Sequence, residues 1–251
     1  MGAGARHLAD LCRGVAEVSA SIRVNDISLD SRTVTEGGLF LACAGRRSHG
    51  LAALPEALSH GAKAVFWEPA QSITAPSVPA GVHTQPIENL SSVASAIAGQ
   101  FFDQPSEALR VAGITGTNGK TTTAWLLAQA LTRCASPAAY IGTLGVGMAP
   151  NAVVPGEYTT ADAVSVQRQL SVMHAAGAQC VAMEVSSHAL DQHRVAGVRF
   201  RVAAFTNLTR DHLDYHGTME AYGAAKARLF DMPRLEAGVI NVDDAFGAEL
   251  A

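Results

Sequence analysis

Apolar and polar residues alternate in blocks along the first third of the chain, and these blocks predict strands and helices in turn. Residues 38–43 and 62–67 are short, almost continuous apolar runs, which are typical of strands buried on both faces of a sheet. Residues 54–60 lie between them, show helical spacing and stop at Gly61. A strand, a helix and a second strand in this order indicate a βαβ unit with a parallel sheet.

A change of composition marks the end of this first unit. Residues 69–86 contain four prolines together with several serines and threonines, which predicts a loop-rich connection to a second domain. Residues 90–102 again have helical spacing. We therefore expect two domains, over residues 1–88 and 89–251.

A second run of alternating elements begins at Leu109. Residues 109–115 predict a short strand, residues 116–122 a glycine-rich turn, and residues 123–134 a helix with one buried face. The expected fold class is therefore α/β, with a small N-terminal α/β domain followed by a central, mostly parallel sheet. Further elements are predicted as strands at residues 180–185, 200–205 and 238–242 and as a helix at residues 221–230.

The chain stops soon after its last predicted strand. Only residues 245–251 follow that strand, whereas a doubly wound sheet normally closes with further strands and helices. We therefore expect the chain to be part of a longer protein.

Composition narrows the class of protein. Apolar residues make up 48% of the chain and charged residues 16%, which favours a packed core over disorder. The net charge of −4 argues against nucleic acid as a partner, so an anionic substrate must be held by local donors. No signal peptide and no apolar stretch long enough to span a bilayer is seen. The four scattered cysteines indicate buried apolar residues in a reducing compartment, so a cytoplasmic location is expected. The cysteines are Cys12, Cys43, Cys134 and Cys180.

The glycine-rich turn has the layout of a phosphate-binding loop. It reads Gly116-Thr-Asn-Gly-Lys-Thr-Thr122 and lies between the predicted strand and helix. Backbone N–H groups and the helix N-terminus would face the phosphates, Lys120 would reach the β- and γ-phosphates, and the Thr121 hydroxyl would bind Mg²⁺. The spacing departs from the general pattern, because Ile114 stands where that pattern has its first glycine. The alternative is a glycine-rich turn with an exposed lysine.

Polar side chains follow the next two predicted strands, where ligands gather in open α/β sheets. Glu184 ends one strand, and Asn207 ends the other, with Asp211 and His212 just beyond it. Carboxylate and other hard ligands at this edge indicate a metal site for a nucleotide. A solvated or helix-capping Glu184 is the alternative. A zinc site on His212 and His216 is another, although no glutamate follows His212 as the H-E-x-x-H pattern requires.

Several segments together resemble the Mur ligase family. Gly116-Thr-Asn-Gly-Lys-Thr-Thr122 matches the family's form of the phosphate loop, and Glu184-Val-Ser-Ser-His-Ala-Leu190 is similar to its central signature. Thr206-Asn-Leu-Thr-Arg-Asp-His-Leu-Asp214, followed by Ala225-Lys226, resembles its second metal-binding segment. Asp30-Ser31-Arg32 and residues 37–41 resemble its N-terminal domain. The resemblance runs from about residue 27 to the end of the chain.

This resemblance implies a role for each matching residue. ATP and Mg²⁺ would be bound by the loop residues and by Asn207, with Thr121, Glu184, His212 and a carbamylated Lys226 as metal ligands. Taken alone, Lys226 would instead be read as a surface lysine. Lys120, Glu184, His212 and Lys226 would carry the catalysis. The loop residues are Gly116, Thr117, Asn118, Gly119, Lys120, Thr121 and Thr122, and the residues that would hold the UDP-linked substrate are Leu29, Ser31, Arg46, Arg47, Ser48, Thr159, Thr160, Ser186, Gln192 and Arg194.

The resemblance also implies a reaction. Family members activate a carboxylate with ATP and let an amine displace the phosphate. The Ser-Ser-His-Ala-Leu190 form and the Tyr215-His-Gly-Thr-Met219 run are closest to members that add a diamino acid, diaminopimelate or lysine, to UDP-N-acetylmuramoyl-L-alanyl-D-glutamate. The family's C-terminal domain, which holds the amino acid, has no counterpart here, so this chain alone is expected not to turn over. Two alternatives are a sister ligase acting on folate or adding D-alanyl-D-alanine, and a non-catalytic nucleotide-binding module.

Overall fold

The structure is a computed structural model that describes residues 4–18, 21–46, 48–155 and 158–251. The described residues form a small parallel sheet in the N-terminal part and a larger, mostly parallel sheet in the remainder. This arrangement confirms the predicted α/β class. A two-stranded antiparallel ribbon lies near the N-terminus.

The N-terminal sheet has four parallel strands that follow one another in chain order. Its central strands are apolar at every position and buried on both faces, as the apolar runs predicted. The elements are β1 (Arg6–His7), α1 (Leu8–Leu11), β2 (Arg23–Val24), β3 (Ile27–Ser28), β4 (Leu39–Ala42), α2 (Leu54–Ser59), β5 (Ala64–Trp67) and β6 (His83–Pro86), with 3-10 turns at Ser31–Thr33 and Gly50–Ala53.

The prediction of a loop-rich connection over residues 69–86 was wrong for the last four residues, which form a strand. β6 lies inside that segment and pairs with β5 in parallel, with Ala64 opposite His83 and Trp67 opposite Pro86. β6 is an edge strand, where a polar sequence and a proline without an N–H group are tolerated. Its strand character therefore comes from pairing with β5 rather than from its own composition.

A long helix connects the two sheets. α3 (Leu90–Phe101) buries Leu90, Ile97 and Phe101 in the same apolar cluster as Leu39 and Phe66 of the N-terminal sheet. α3 follows the predicted domain boundary at residue 88 and yet packs on the N-terminal core. The boundary itself stays a prediction. A one-turn helix, α4 (Pro105–Ala108), leads from α3 into the larger sheet.

The larger sheet has seven strands, and five neighbouring strands of it run parallel to one another. The elements are β7 (Arg110–Thr115), α5 (Lys120–Arg133), β8 (Ala138–Gly142), β9 (Gly145–Met148), β10 (Ala152–Val154), α6 (Ala163–Ala175), β11 (Cys180–Glu184), α7 (Ser187–Asp191), β12 (Phe200–Phe205), α8 (Leu213–His216), α9 (Met219–Ala227), β13 (Ala237–Ile240) and α10 (Ala245–Leu250). The strand order is β10-β9-β8-β11-β7-β12-β13, and β9 and β10 form an antiparallel edge.

The strands predicted from apolar runs in this half are all present, but β8, β9, β10 and α6 were missed. α6 begins at the N-cap Asp162, whose carboxylate accepts hydrogen bonds from the backbone N–H groups of Val164 and Ser165. α5 begins at Lys120, three residues earlier than predicted, because the polar Lys-Thr-Thr run forms its first turn. Local composition did not reveal that polar first turn.

The strand order brings three loops to one place. β7 lies between β11 and β12, with Ile114 opposite Glu184 and Thr115 opposite Phe205. Parallel strands present their carboxyl ends at the same edge of a sheet, so the segments after these three strands must meet there. The glycine-rich turn is therefore flanked by Glu184 on one side and by residues 206–212 on the other.

Two further expectations can be compared with the structure. Cys12 and Cys180 are buried and Cys43 is half-buried, but Cys134 is exposed at the end of α5, so the prediction of buried cysteines was wrong there. None of the helices in the described residues is both long enough and apolar enough to cross a membrane.

The packing of α6 gives a stability prediction. Leu170 is fully buried in the core beneath the larger sheet, whereas Val172 on the same helix is 55% exposed. We expect Leu170→Ala to lower the free energy of unfolding by about 2 to 5 kcal/mol, because it leaves a cavity. The matched Val172→Ala change should cost less than about 0.5 kcal/mol. Urea denaturation of both variants measures the difference, and equal losses would contradict this assignment of the buried face of α6.

Candidate active site at the strand ends

The glycine-rich turn leaves β7 in a conformation that needs glycine. Gly116 has φ +141°, and a Cβ there would lie 1.9 Å from the Thr206 hydroxyl oxygen. Gly119 has φ +83° and immediately precedes α5. Side chains at these positions would be strained or would collide, so the two glycines fix the path of the turn. The first backbone N–H groups of α5 consequently open onto the strand ends.

The segment after β12 holds the turn in place. The Thr117 N–H group donates to the Asn207 carbonyl at 2.8 Å, and the Asn118 N–H group donates to the Asn207 side-chain oxygen at 3.0 Å. The Asn207 amide donates back to the Asn118 carbonyl at 3.1 Å. Asn207, predicted to contact the nucleotide, is thus placed against the phosphate loop and shapes it.

Lys120 lies over the turn rather than on the open surface. Its Nζ donates to the carbonyls of Gly116 at 3.0 Å and Thr117 at 2.9 Å. Burial lowers the pKa of Lys120, and the charges of Glu184 and Asp211 partly oppose that shift. The alternative of a turn with an exposed lysine is therefore wrong. Thr122 lies exposed in the first turn of α5.

Glu184 is a buried carboxylate with a complete set of donors. Its side chain is 1% exposed. Oε1 accepts from the Tyr140 hydroxyl and from the Thr143 N–H group at 2.8 Å, and Oε2 accepts from the Thr121 hydroxyl at 2.8 Å. Burial, followed by the hydrogen bond to Glu184, raises the pKa of Tyr140, which keeps the phenol protonated as a donor. The alternative of a solvated or helix-capping Glu184 is therefore wrong.

Lys226 is buried beneath the turn. It is 1% exposed, its Nζ donates to the Gly116 carbonyl at 2.7 Å and it lies 4.3 Å from the centre of the Tyr222 ring. Burial lowers its pKa to about 7, the charge of Lys120 adds to the effect, and Asp211 opposes it. Reading Lys226 as a surface lysine is thus wrong. Two lysines share one carbonyl oxygen, which creates a strongly cationic position.

Four predicted substrate residues form a chain of hydrogen bonds that ends at Glu184. The Thr160 hydroxyl donates to the Glu184 carbonyl at 3.0 Å and accepts from the Ser186 N–H group at 3.1 Å. Arg194 donates to the Thr160 carbonyl at 2.9 Å and also to the Gln192 side-chain oxygen. Thr159, from the same loop, is joined to the Thr143 hydroxyl at 3.0 Å. The structure therefore brings these residues together with the phosphate loop.

His212 lies in a cluster of aromatic side chains. Its ring centre is 4.8 Å from that of His188, which in turn is 5.4 Å from that of His216. His216 shares a hydrogen bond with the Ser187 hydroxyl at 3.0 Å. Within the described parts of the chain, no group of three or more His, Cys, Asp or Glu side chains is arranged to hold a metal ion. The zinc-site alternative thus finds no support there.

The predicted uridine-side residues lie at different depths. Leu29 packs on the N-terminal core, and the Ser31 hydroxyl donates to Glu56 at 2.6 Å. The Arg46 guanidinium lies 4.1 Å from the centre of the Tyr215 ring, which connects the N-terminal part to α8. Ser48 is exposed. Arg47 falls outside the described residues.

Sequence reasoning missed the residues that hold the predicted ones. Tyr140 and Thr143 bind Glu184, Tyr222 contacts both Thr117 and Lys226, and the Tyr215 hydroxyl accepts from Gln192 at 2.9 Å. The Ala138–Gly142 strand contains only small, apolar or aromatic residues, and this was the signal that could have revealed β8. Together the site offers helix N–H groups, a lysine over the turn and a carboxylate beside a hydroxyl, which suits a phosphate chain with a divalent cation.

Comparison with known proteins agrees with this geometry. A UDP-N-acetylmuramoyl-L-alanyl-D-glutamate--2,6-diaminopimelate ligase from Ectopseudomonas mendocina is 50% identical over 92% of this chain and 47% of its own length. The enzyme of the same name from Pseudomonas aeruginosa is 47% identical over 94% of this chain and 48% of its own length. The chain thus spans about half the length of the curated relatives that it matches.

Solved structures give the same result for the fold. A structure of UDP-N-acetylmuramoyl-L-alanyl-D-glutamate--2,6-diaminopimelate ligase superposes with a TM-score of 0.81 at 32% identity, covering 98% of this chain and 49% of that chain. A structure of UDP-N-acetylmuramoylalanyl-D-glutamyl-2,6-diaminopimelate--D-alanyl-D-alanyl ligase from Acinetobacter baumannii superposes with a TM-score of 0.62 at 18% identity. The match covers all of this chain and 52% of that chain, which shows a common fold.

Two family descriptions cover almost all of the chain. The "Mur ligase family, catalytic domain" matches residues 23–129, and the "Mur ligase middle domain" matches residues 114–251. The second match includes the phosphate loop, Glu184, His212 and Lys226. The chain therefore belongs to the Mur ligase family.

Proposed function

We propose that this chain is the nucleotide-binding and UDP-substrate-binding part of an ATP-dependent ligase. The ligase adds a diamino acid to UDP-N-acetylmuramoyl-L-alanyl-D-glutamate, and the names of the relatives favour diaminopimelate over lysine. One observation carries the proposal: the Thr121 hydroxyl and the buried Glu184 carboxylate lie 2.8 Å apart beside Lys120 and the start of α5. This arrangement joins a phosphate site to a cation site.

The residues of the turn fit the phosphates of ATP. The first N–H groups of the 14-residue α5 have no partner within the helix, and the partial positive charge at this end attracts anions. Gly116 and Gly119 allow the backbone to come close to a ligand, and Lys120 adds a full charge. ATP as co-substrate also agrees with the cytoplasmic location that we expect from the sequence.

The residues around Glu184 fit Mg²⁺. Two neighbouring oxygens on a Mg²⁺ ion, each at about 2.1 Å, lie about 3 Å apart, which is close to the Thr121–Glu184 separation of 2.8 Å. Thr121 and Glu184 would hold the ion, and His212 and Lys226 are the further ligands that the family resemblance implies. A bound Mg²⁺ supplies positive charge where two anions must approach each other.

The remaining residues would position the substrates. In this proposal Lys120 neutralises the transferred phosphoryl group, while Thr160, Ser186, Gln192 and Arg194 hold the muramoyl-dipeptide near it. The substrate carboxylate becomes an acyl phosphate, and the amine of the diamino acid then displaces phosphate. Most of the rate enhancement in such a reaction comes from positioning and charge neutralisation, so no protein nucleophile is required.

We also propose that Lys226 is carbamylated. Its Nζ contacts a backbone carbonyl and an aromatic ring, neither of which carries a net charge, and the charge of Asp211 only partly offsets the effect of burial. The ammonium group first loses a proton. The neutral amine then reacts with CO₂ to form a carbamate and releases a second proton, so that an oxygen-bearing anion stands in place of the buried cation. That anion would be attracted to Lys120 and would be a suitable ligand for Mg²⁺.

The ligase proposal can be tested with a chimera, because the chain covers about half of its relatives. Residues 1–251 are joined to the C-terminal half of the Ectopseudomonas mendocina relative, and phosphate release is measured with ATP, Mg²⁺ and UDP-N-acetylmuramoyl-L-alanyl-D-glutamate. We expect release that requires diaminopimelate and that falls at least about 100-fold in Glu184→Gln, which removes the charge facing the cation.

Two controls are used. One is the 251-residue chain by itself, and the other is the chimera with Val172→Ala, a change at an exposed position. The chain alone should bind ATP without turnover, and Val172→Ala should retain activity. A folded chimera that binds ATP but releases no phosphate with either diamino acid would contradict the ligase proposal and favour a non-catalytic nucleotide-binding module.

Carbamylation is tested by ¹³C NMR of the chain in ¹³C-bicarbonate. The chain has three lysines, so one carbamate signal assigned to Lys226 should vanish in Lys226→Arg and persist in Lys63→Arg. The signal should grow between pH 6 and pH 8, since the pKa of Lys226 is about 7 and the neutral amine becomes the major form in that range. A signal that grows only near pH 10, as for an ordinary lysine, would argue against the proposal.

A further inference from the structure

The two oxygens of the Glu184 carboxylate have different surroundings. Oε1 accepts from the Tyr140 hydroxyl and from the Thr143 N–H group at 2.8 Å. A Cβ at Gly142 would lie 2.2 Å from Oε1 and 2.5 Å from the Tyr140 hydroxyl oxygen, so Gly142, Oε1 and the phenol are closely packed. With the phenol in place, Oε1 is enclosed by the Tyr140 hydroxyl, Gly142 and the Thr143 N–H group.

Oε2 faces hydroxyl groups instead. The Thr121 hydroxyl lies 2.8 Å from Oε2 and the Thr143 hydroxyl 3.3 Å from it. A hydroxyl can rotate its proton away and present a lone pair, whereas an N–H group cannot. Oε2 is therefore the one oxygen of Glu184 that can serve as a ligand to a cation while the Oε1 hydrogen bonds persist.

The phenol that closes Oε1 is held rigidly. Tyr140 is fully buried on β8, and its ring packs edge-to-face on Trp125 of α5 with the ring centres 5.4 Å apart. The Leu144 N–H group donates to the Tyr140 hydroxyl oxygen at 3.2 Å, which leaves the phenol proton directed at Glu184. Sheet, helix and turn thus all fix the position of this hydroxyl.

From this geometry we infer that Tyr140 is a positioning residue that makes Glu184 a one-oxygen ligand and thereby gives the site a preference for Mg²⁺ over Ca²⁺. The inference rests on the proposed function, in which the cation accompanies ATP. Ca²⁺ takes six to eight oxygens and often binds both oxygens of a carboxylate, whereas Mg²⁺ takes six at shorter distances and one oxygen from each carboxylate. Releasing Oε1 would therefore favour Ca²⁺ relative to Mg²⁺.

The test is the variant Tyr140→Phe, which keeps the ring on Trp125 and removes only the hydroxyl. The affinity of the 251-residue chain for ATP is measured by isothermal titration calorimetry, once with Mg²⁺ and once with Ca²⁺. Residues that orient a metal ligand typically contribute about 10- to 100-fold in metal affinity. We expect the ratio of the Mg²⁺ to the Ca²⁺ affinity to fall about tenfold in Tyr140→Phe, with the loss on the Mg²⁺ side.

A matched control separates this effect from a general weakening of β8. The Thr132 hydroxyl accepts from the Ala138 N–H group at 3.2 Å, at the start of the same strand and away from Glu184. Thr132→Val removes that hydroxyl and should lower the melting temperature without changing the ratio of the two affinities. Circular dichroism of both variants confirms that they fold.

The possible outcomes are distinct. An unchanged ratio in Tyr140→Phe, or an equal fall in Thr132→Val, would overturn the inference. Wild-type chain that binds ATP equally well with both ions would also overturn it, while leaving the ligase proposal intact. A wild-type chain that binds ATP with neither ion would contradict both, because the proposed function itself requires ATP binding.

Discussion

The Glu184 carboxylate is buried among donors, and much of the site is built around it. An ionised carboxylate out of contact with water is costly unless hydrogen bonds surround it. Those bonds come from three separate elements: Thr121 at the start of α5, Tyr140 in the middle of β8 and Thr143 in the following turn. Meeting this requirement fixes the positions of the phosphate loop, the β8–β9 turn and β11 relative to one another.

The second constraint is an excess of positive charge beside that carboxylate. Lys120 and Lys226 both donate to the Gly116 carbonyl, and burial lowers the pKa of each. A carbonyl oxygen satisfies their hydrogen bonds but does not balance their charge. The site is therefore complementary to a polyanion, which supports the proposal that a nucleotide and an anionic substrate meet at this edge of the sheet.

The N-terminal part is connected to this site through side chains as well as through α3. Arg46 lies on the ring of Tyr215, and the Tyr215 hydroxyl accepts from Gln192 at 2.9 Å. Gln192 binds Arg194, which continues through Thr160 to Glu184. Further along, Arg168 of α6 donates to Asp26 and to the Ile27 carbonyl. Residues predicted to hold opposite ends of one UDP-linked substrate thus belong to one continuous set of contacts.

The sequence by itself determined the α/β class, the βαβ unit of the N-terminal sheet and the placement of the phosphate loop between β7 and α5. Apolar runs and glycine positions reflect local backbone requirements, and these requirements leave a pattern within a few neighbouring residues. It also predicted Glu184 at a strand end, since parallel strands share one functional edge. The family resemblance singled out Lys226, which composition alone would have placed on the surface.

Only the tertiary structure decided which groups surround these residues. β6 is a strand because β5 offers it a partner, and β8 carries Tyr140 to Glu184 across 44 positions of the sequence. Lys226 donates to the carbonyl of Gly116, which lies 110 positions earlier in the sequence, and its side chain is buried there. Hydrogen bonds between distant residues leave no local pattern in the sequence, because they arise from strand order and packing. For that reason the sequence could single out candidate functional residues, whereas the donors that surround them became visible only in the folded chain.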